Sequence, residues 1–479
     1  MHDLSPVDAG IAAHRRGLLP VVLTGTVLVV VDFFLVNVIL PVMRRDLGAD
    51  GTTLQWTVAG YAITFAAGLV TGGRLGDRWG RRRMLMVGLV AFAVTSAGCG
   101  LAQGAVALVG ARLAQGAAAA VLLPQVLAII SSCYEGAARA RAFRSYALTV
   151  GLAGVAGQLA GGALVQLDPG GLGWRACFLV NVPVGLVAAA LAHRLVPESR
   201  LTHPPSVDIA GAGLLTAALV AVVLPLSAGR EAGWPDWATA CLLAVPPLLG
   251  ALWLVQRRVA AHGGDPLVPP ELFRRRAFTA GLPVVVAVYA GSAAMFFLLA
   301  FYLQDSLRLD PLEAGLMFCP YGMAFLAGSL AAGWANRRWS RQSLAAGAAL
   351  RACGLLGLAA LAGTVAAGAQ VAWLAVPLAV DGAGLGLVVG PLVATVLLGV
   401  PGPHSGAASG VLATAQQVGG ALGVAVIGGS YLQAAGTVTA FTVCIIALAA
   451  LSTLVVAGTQ LLPRVTRPPA REAPAARAG

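Results

Sequence analysis

Apolar runs of about 20 residues recur from one end of the chain to the other, separated by short polar or basic breaks. A helix of that length matches the hydrocarbon thickness of a bilayer. Fourteen runs are read, at 18–41, 54–73, 84–101, 105–130, 145–166, 174–195, 209–227, 238–256, 278–301, 312–334, 343–367, 370–398, 406–429 and 437–461. The pattern predicts an all-α integral membrane protein with 14 transmembrane helices. Polar residues are sparse inside the runs, so those at depth stand out: Asp32, Asn37, Arg112, Gln115, Gln158, Asp381, Gln416 and Gln417. A carboxylate at mid-membrane is costly and by default marks a functional position. Of the 19 acids, Asp32 and Asp381 are the two placed there. Arg351 begins some way into its run and is placed either at depth or snorkelling to a surface. Residues 1–17, and the Pro-, Ala- and Arg-rich residues 462–479, are expected to be disordered.

Composition agrees. The chain is 58% hydrophobic and 10% charged, with a mean hydropathy of +0.84; soluble domains carry about 25% charged residues. The formal net charge of +12 raises the question of nucleic acid, and the charge positions answer it. Lysine is absent, so all 31 basic residues are arginines. With the N-terminus placed inside, twenty-four lie on the cytoplasmic side and five (Arg44, Arg45, Arg175, Arg230, Arg308) outside. That imbalance places both termini in the cytoplasm and leaves no need for a nucleic-acid partner. The first run is too long for a signal-peptide core and is retained as the first helix. Arginine-only usage with abundant Ala and Gly suggests a GC-rich bacterial genome.

The chemistry of an enzyme is hard to assemble. The seven cysteines are scattered without a C-x-x-C, so no metal site is expected. No histidine lies at mid-membrane depth, and the two acids placed there are far apart in sequence. No phosphate-binding loop is present, which argues against ATP as a driving force. No cofactor is expected.

Gly73 to Leu85 reads GRLGDRWGRRRML. Between two apolar runs it is expected to form a short cytoplasmic loop, with Gly73, Gly76 and Gly80 allowing tight turns. Arg74, Arg78, Arg81, Arg82 and Arg83 hold it at that surface. Asp77 precedes the next helix and can face its positive N-terminal end. The stretch Gly333–Arg341, GWANRRWSR, aligns on Gly73–Arg81 with four of nine positions matching, eight helices later. Asp77 becomes Arg337 in the copy, so only the first copy can act as an acidic latch.

The spacing G-x-L-x-D-R-x-G-R-R resembles the signature loop between helices 2 and 3 of the major facilitator superfamily. VDFFLVNVILP in the first run resembles the helix-1 motif of its fourteen-helix drug:proton antiporters, D-x-T-x-V-N-V-A-L-P. Asp32, Val36, Asn37, Val38, Leu40 and Pro41 match, while Ile39 replaces Ala and Phe34 replaces Thr. The second change alters the pocket's shape or removes a hydrogen bond to Asp32. R-L-A-Q-G at Arg112–Gly116 resembles the family's proton-transfer motif. Gly151, Gly154, Gly157, Gly161 and Gly162 form a small-residue seam for helix packing. The seam resembles the antiporter motif of drug exporters, with Gln158 where Pro is usual, so a straighter helix is expected. WRACFLVNVPVG, Trp174–Gly185, is similar to a segment characteristic of the fourteen-helix branch.

This resemblance implies a major facilitator fold: two six-helix bundles plus two inserted helices. The divisions are an N-terminal segment 1–17, a bundle 18–200, inserted helices and cytoplasmic loop 201–276, a bundle 277–461 and a tail 462–479. A turn of interfacial helix is expected near Glu271–Arg276. The implied function is proton-coupled antiport, exporting amphipathic drugs or antibiotics across the bacterial cytoplasmic membrane by alternating access. Proton uptake symport is the alternative, and a membrane-embedded enzyme a remote one. The implied partners are protons, lipid and a small amphipathic organic substrate, with a cationic one suited by two intramembrane acids; the chain is expected to work as a monomer. Asp32, Arg112 and Asp381 are the expected proton-coupling residues. Asn37, Gln115, Gln158, Gln416 and Gln417 are expected to line the substrate pocket, and Gly73, Asp77, Arg78, Gly80 and Arg81 to form a conformational gate.

Overall fold

The structure, a computed structural model, describes residues 6–200, 206, 208–229, 233–398, 400, 405–434 and 436–463. The expected tail beyond 463 lies outside them. Among the described residues every regular element is helical. Numbered in chain order, α1 is Pro6–Leu47, α2 Gly51–Trp79, α3 Arg81–Gly100, α4 Ala105–Cys133 and α5 Gly136–Leu167. They are followed by α6 (Arg175–Leu195), α7 (Ile209–Leu224), α8 (Asp236–Ala261), α9 (Arg276–Ser306) and α10 (Pro311–Trp339). The last four are α11 (Arg341–Ala366), α12 (Val371–Val396), α13 (Ala407–Gln433) and α14 (Val438–Thr459). Thirteen are long and apolar enough to cross a membrane; α7 has 16 residues and continues through one π turn, Pro225–Gly229.

Helices α1–α6 pack on one another, as do α9–α14. At the join lies α9, whose residues Ala293–Leu303 are each at most 7% exposed. The inserted pair α7 and α8 stands to one side. Leu219 and Val223 of α7 form an apolar cluster with Ala59, Ala62, Ile63 and Ala66 of α2 and Ala421 and Ala425 of α13. One end of the pair is fastened to the first bundle. Arg74 of α2 donates to the carbonyls of Ser206, Asp265 and Pro266 at 2.7–2.9 Å, on the connections flanking the pair. Asp208 caps α7 through Gly211 N and accepts from Gln256 Nε2 of α8 at 2.6 Å.

The internal repeat is structural as well as sequential. Helix α2 runs to Trp79, a single residue at positive φ turns the chain, and α3 starts at Arg81. Likewise α10 ends at Trp339, Ser340 turns, and α11 starts at Arg341. Gly80 N donates to Gly76 O, and Ser340 N to Asn336 O. The expected loop at 73–85 is therefore a one-residue joint between helices. Gly80, at φ 105°, is where glycine is needed, since side chains disfavour that backbone region.

Other expectations are revised. Helix α1 begins at Pro6, so most of residues 1–17 is helical rather than disordered. The turn expected at Glu271–Arg276 is a 3-10 turn, Pro270–Arg274, leading into α9. Helix α10 is interrupted at Phe318, although its apolar run is continuous. With Gln158 in place of Pro, α5 runs unbroken, as a full set of main-chain donors allows.

Polar ties between the bundles gather at the end opposite Gly80. Gln304 of α9 donates to Val38 O at 2.6 Å, Arg44 and Arg45 reach Asp305, and Gln166 donates to Asp310. Nearer the middle, Thr414 of α13 donates to Ala66 O.

Candidate functional site

Five helices of the first bundle converge on Asp32, which is fully buried. A buried carboxylate is stable only if both oxygens are bonded and its charge is balanced. Arg112 Nη1 of α4 donates to Oδ2 at 2.6 Å. Gln115 Nε2, one turn along α4, donates to Oδ1 at 3.0 Å, and Asn181 Nδ2 of α6 reaches the same oxygen at 3.3 Å. The i, i+3 spacing of Arg112 and Gln115 puts both on one face.

The arginine is held as fully. Its Nε donates to Thr57 O of α2 at 3.1 Å, its Nη1 also to Gln115 Oε1 at 2.6 Å, and the guanidinium lies 4.3 Å from the centre of the Tyr61 ring. Ser96 of α3 accepts from both Gln115 and Asn181. The consequence is chemical. If Asp32 takes up a proton, Arg112 retains a carbonyl, an amide oxygen and an aromatic face. Breaking a buried pair with no substitute partner would cost about 3–5 kcal/mol; here substitutes are already in place.

Close approach of α1 and α5 positions Asp32. A side chain on Gly157 would place its first carbon 2.8 Å from Val31 O and 3.1 Å from Phe34 Cβ. The glycine seam is thus shared: Gly154, Gly157 and Gly161 face α1, while Gly151 and Gly162 face α10.

The second buried acid, Asp381 of α12, pairs with Arg351 of α11 at 3.0 Å, with both side chains at most 4% exposed. Arg351 is therefore at depth and does not snorkel. Arg351 Nη1 donates to Ser292 Oγ at 2.8 Å and to Val288 O at 3.3 Å. A cavity of about 10 Å³ lies beside it, lined by Val288, Gly291, Arg351, Leu385 and Ser452 among others. Each intramembrane acid thus has its own arginine, which removes the argument that two free carboxylates call for a cationic substrate.

The expected site residues fall into separate places. Gln115 belongs to the Asp32 cluster rather than to a pocket wall. Asn37 turns its amide back to Phe33 O of its own helix at 2.8 Å. Gln158 is 3% exposed with neither amide atom hydrogen-bonded. Gln416 and Gln417 are half-buried on α13. Asp77 bonds Arg81 through Nε at 3.1 Å and Nη2 at 2.9 Å, across the joint. Its partner is thus the first side chain of α3, at the helix end the sequence points to. Asn181, Ser96 and the Asp208–Gln256 pair were not singled out from the sequence. Asn181 had a signal, a lone amide inside the Trp174–Gly185 segment; Ser96, one small hydroxyl in an apolar helix, had none.

The fold and the buried charge cluster between its helices are those of a membrane transporter. The sequence model of the Major Facilitator Superfamily matches residues 22–424, and the chain belongs to that family. It is a transporter and not an enzyme. Among its relatives is the "Probable actinorhodin transporter" of Streptomyces coelicolor, 36% identical over 87% of this chain and 72% of that protein. The "Puromycin resistance protein pur8" of Streptomyces alboniger is 36% identical over 92% of this chain and 89% of its own. The "Tetracenomycin C resistance and export protein" of Streptomyces glaucescens is 31% identical over 88% and 76%. Solved structures with the same fold include the POT family transporter PepTSo, with a TM-score of 0.67, 14% identity and coverage of 93% and 97%. A D-xylose-proton symporter has a TM-score of 0.65, with 14% identity and coverage of 94% and 98%.

Proposed function

We propose that the protein is a proton-driven antiporter of the bacterial cytoplasmic membrane, expelling small amphipathic organic compounds of the antibiotic kind. Relatives named for probable transport of actinorhodin, for resistance to puromycin, and for resistance to and export of tetracenomycin C support the cargo class. The arginine distribution supports cytoplasmic termini. In that orientation the polar ties between the bundles lie on the outer side. Residues 18–200 and 277–461 are the two moving bodies, with 201–276 carried on the first through Arg74.

The observation that carries the reading is the Asp32–Arg112–Gln115–Asn181 cluster. It is a carboxylate that can be neutralised without stranding its arginine. Asp32 is the principal proton site, and Asp381 the reserve. Protonation frees Arg112 to lean on Thr57 O and Gln115, loosening α1 from α4; deprotonation draws them together. A cargo that favours one arrangement and a proton that favours the other are linked reciprocally, as exchange requires. Gly73, Asp77, Arg78, Gly80 and Arg81 form the cytoplasmic gate. The Asp77–Arg81 pair sets the α2–α3 joint, and the joint meets α13 when the cytoplasmic side closes. The test is drug efflux from vesicles under an imposed proton gradient, comparing wild type, Asp32→Asn and Asp381→Asn. Loss in Asp32→Asn supports the assignment; loss only in Asp381→Asn moves it to α12.

A further inference from the structure

An aromatic cluster joins the two bundles on the glycine-seam side. Phe34 of α1 meets Phe296 of α9 edge to face, with ring centres 5.2 Å apart and planes at 84°. Phe296 in turn stacks on Phe318 of α10 at 5.7 Å and 27°, and meets Tyr321 at 5.0 Å and 76°. Phe33 extends the row on α1 at 5.3 Å from Phe34. Rings this close attract each other, so ordinary core packing could account for them. Two observations set the cluster apart.

The first is unmet hydrogen bonding. Tyr321 is 4% exposed and its hydroxyl has no partner; Gln158 is 3% exposed and both ends of its amide have none. Gln158 shares the level of the rings. Its main-chain carbonyl lies against Gly315, and Val155, one turn back, lies against Gly322, so the two contacts bracket Phe318 and Tyr321 on α10. Buried amides and hydroxyls without partners are uncommon, and each asks for an explanation. The second is position. Phe34 and Gln158 belong to one bundle and Phe296, Phe318 and Tyr321 to the other, so the cluster lies across the surface that opens during alternating access. On α10 the backbone at Tyr321 also touches Gly382, the neighbour of Asp381.

We infer that this cluster is the recognition site for the cargo's flat aromatic ring system, with the Gln158 amide and the Tyr321 hydroxyl bonding carbonyl or phenol groups on its edge. The inference rests on the reading of the chain as an exporter with two moving bundles, and it names the class of cargo: planar, fused-ring and oxygenated. A ring entering between Phe34 and Phe296 replaces their mutual contact with two new ones. The edge then meets polar groups that have no other use. Phe34, where the resembled motif carries Thr, supplies the face contributed by the first bundle.

The test is equilibrium binding to the purified full chain in lipid nanodiscs, with no proton gradient. Two cationic probes are compared: doxorubicin, flat and oxygenated, and tetraphenylphosphonium, lipophilic but without a flat fused face. Phe296→Leu and Phe34→Leu should raise the doxorubicin Kd roughly three- to tenfold, and the tetraphenylphosphonium Kd by less than about twofold. Gln158→Leu should weaken doxorubicin alone, and Phe296→Tyr should retain wild-type discrimination. Equal weakening of both probes, or no doxorubicin binding by wild type, overturns the inference. Should Phe296→Leu not fold, the half-buried Phe34 position makes the same comparison. Binding without a gradient is independent of proton coupling, so Asp32→Asn should keep the preference. A selective binder that fails gradient-driven export would sink the antiport reading and leave this one standing.

Discussion

The two buried ion pairs are built on opposite plans. Asp32 and Arg112 meet at 2.6 Å inside a network of amides, a carbonyl, a serine and a tyrosine ring. Asp381 and Arg351 meet at 3.0 Å, yet neither Asp381 oxygen, nor Arg351 Nε or Nη2, makes a hydrogen bond. Their angle fits charge attraction but not donation, and a small cavity adjoins them. Charge alone holds the second pair. A carboxylate bonded by several donors can change protonation without collapse, whereas Asp381 has no hydrogen bond and depends on Arg351 alone, so losing the arginine leaves a buried charge unbalanced. On this difference we propose that the first pair is the proton switch and that the second, the reserve proton site, serves chiefly as a joint between α11 and α12.

The largest expected effects lie in the first pair. Asp32→Asn should abolish gradient-driven efflux while the protein still inserts, because Asn keeps an oxygen that accepts from Arg112 and carries no buried charge, but cannot exchange a proton. Arg112→Met should also end transport, and it leaves a buried carboxylate with only two amide donors. Its melting temperature should therefore fall well below that of Asp32→Asn. Were both variants to melt alike, the network would not be sharing the charge as described.

Next comes the second pair. Asp381→Asn or Arg351→Met alone should destabilise by about 3–5 kcal/mol, and the double variant Asp381→Leu/Arg351→Met should recover that and lie within about 1–4 kcal/mol on the stabilised side of wild type. Thermal melting in detergent distinguishes these outcomes. The double variant should still export; if it folds well and does not export, Asp381 has a role in coupling and the division of labour fails.

Much of this comparison could be read before the structure. Fourteen helices and two mid-membrane acids follow from hydropathy, because a bilayer leaves few ways to satisfy a backbone. Arg112 needed a carboxylate by the same physics, and Asp32 provides it. Hydropathy could not say which polar residues share a point in space. Gln115 and Asn37 both looked like pocket residues, yet one joins the charge cluster and the other bonds its own helix. Arg351 could equally have snorkelled, since its place in the run allowed either. The aromatic row Phe34–Phe296–Phe318 draws on three helices far apart in the chain, and no local period reveals it. The 73–85 stretch reads in sequence as a short loop, and the structure makes it two helices meeting at Gly80. Helix termination there depends on one dihedral angle, not on polarity.

The smallest effects sharpen the contrast further, through one serine in each bundle. Ser96 accepts from Gln115 Nε2 at 2.6 Å and from Asn181 Nδ2 at 3.2 Å, so it orients both amides that face Asp32. Ser292 accepts from Arg351 Nη1 at 2.8 Å and touches the pair from the arginine side only. Removing either hydroxyl should cost about 0.5–1.5 kcal/mol of stability, the net worth of a typical hydrogen bond. Their effects on transport should differ. Ser96→Ala frees Gln115 and Asn181 to swing away from the carboxylate, so gradient-driven efflux should fall several-fold at unchanged expression. Ser292→Ala leaves Arg351 bound to Asp381 and Val288 O, and efflux should stay near the wild-type rate. Vesicle efflux normalised to the amount of folded protein reads both. Equal losses from the two serines would mean that the bundles share the proton step, and that the bare pair is more than a joint.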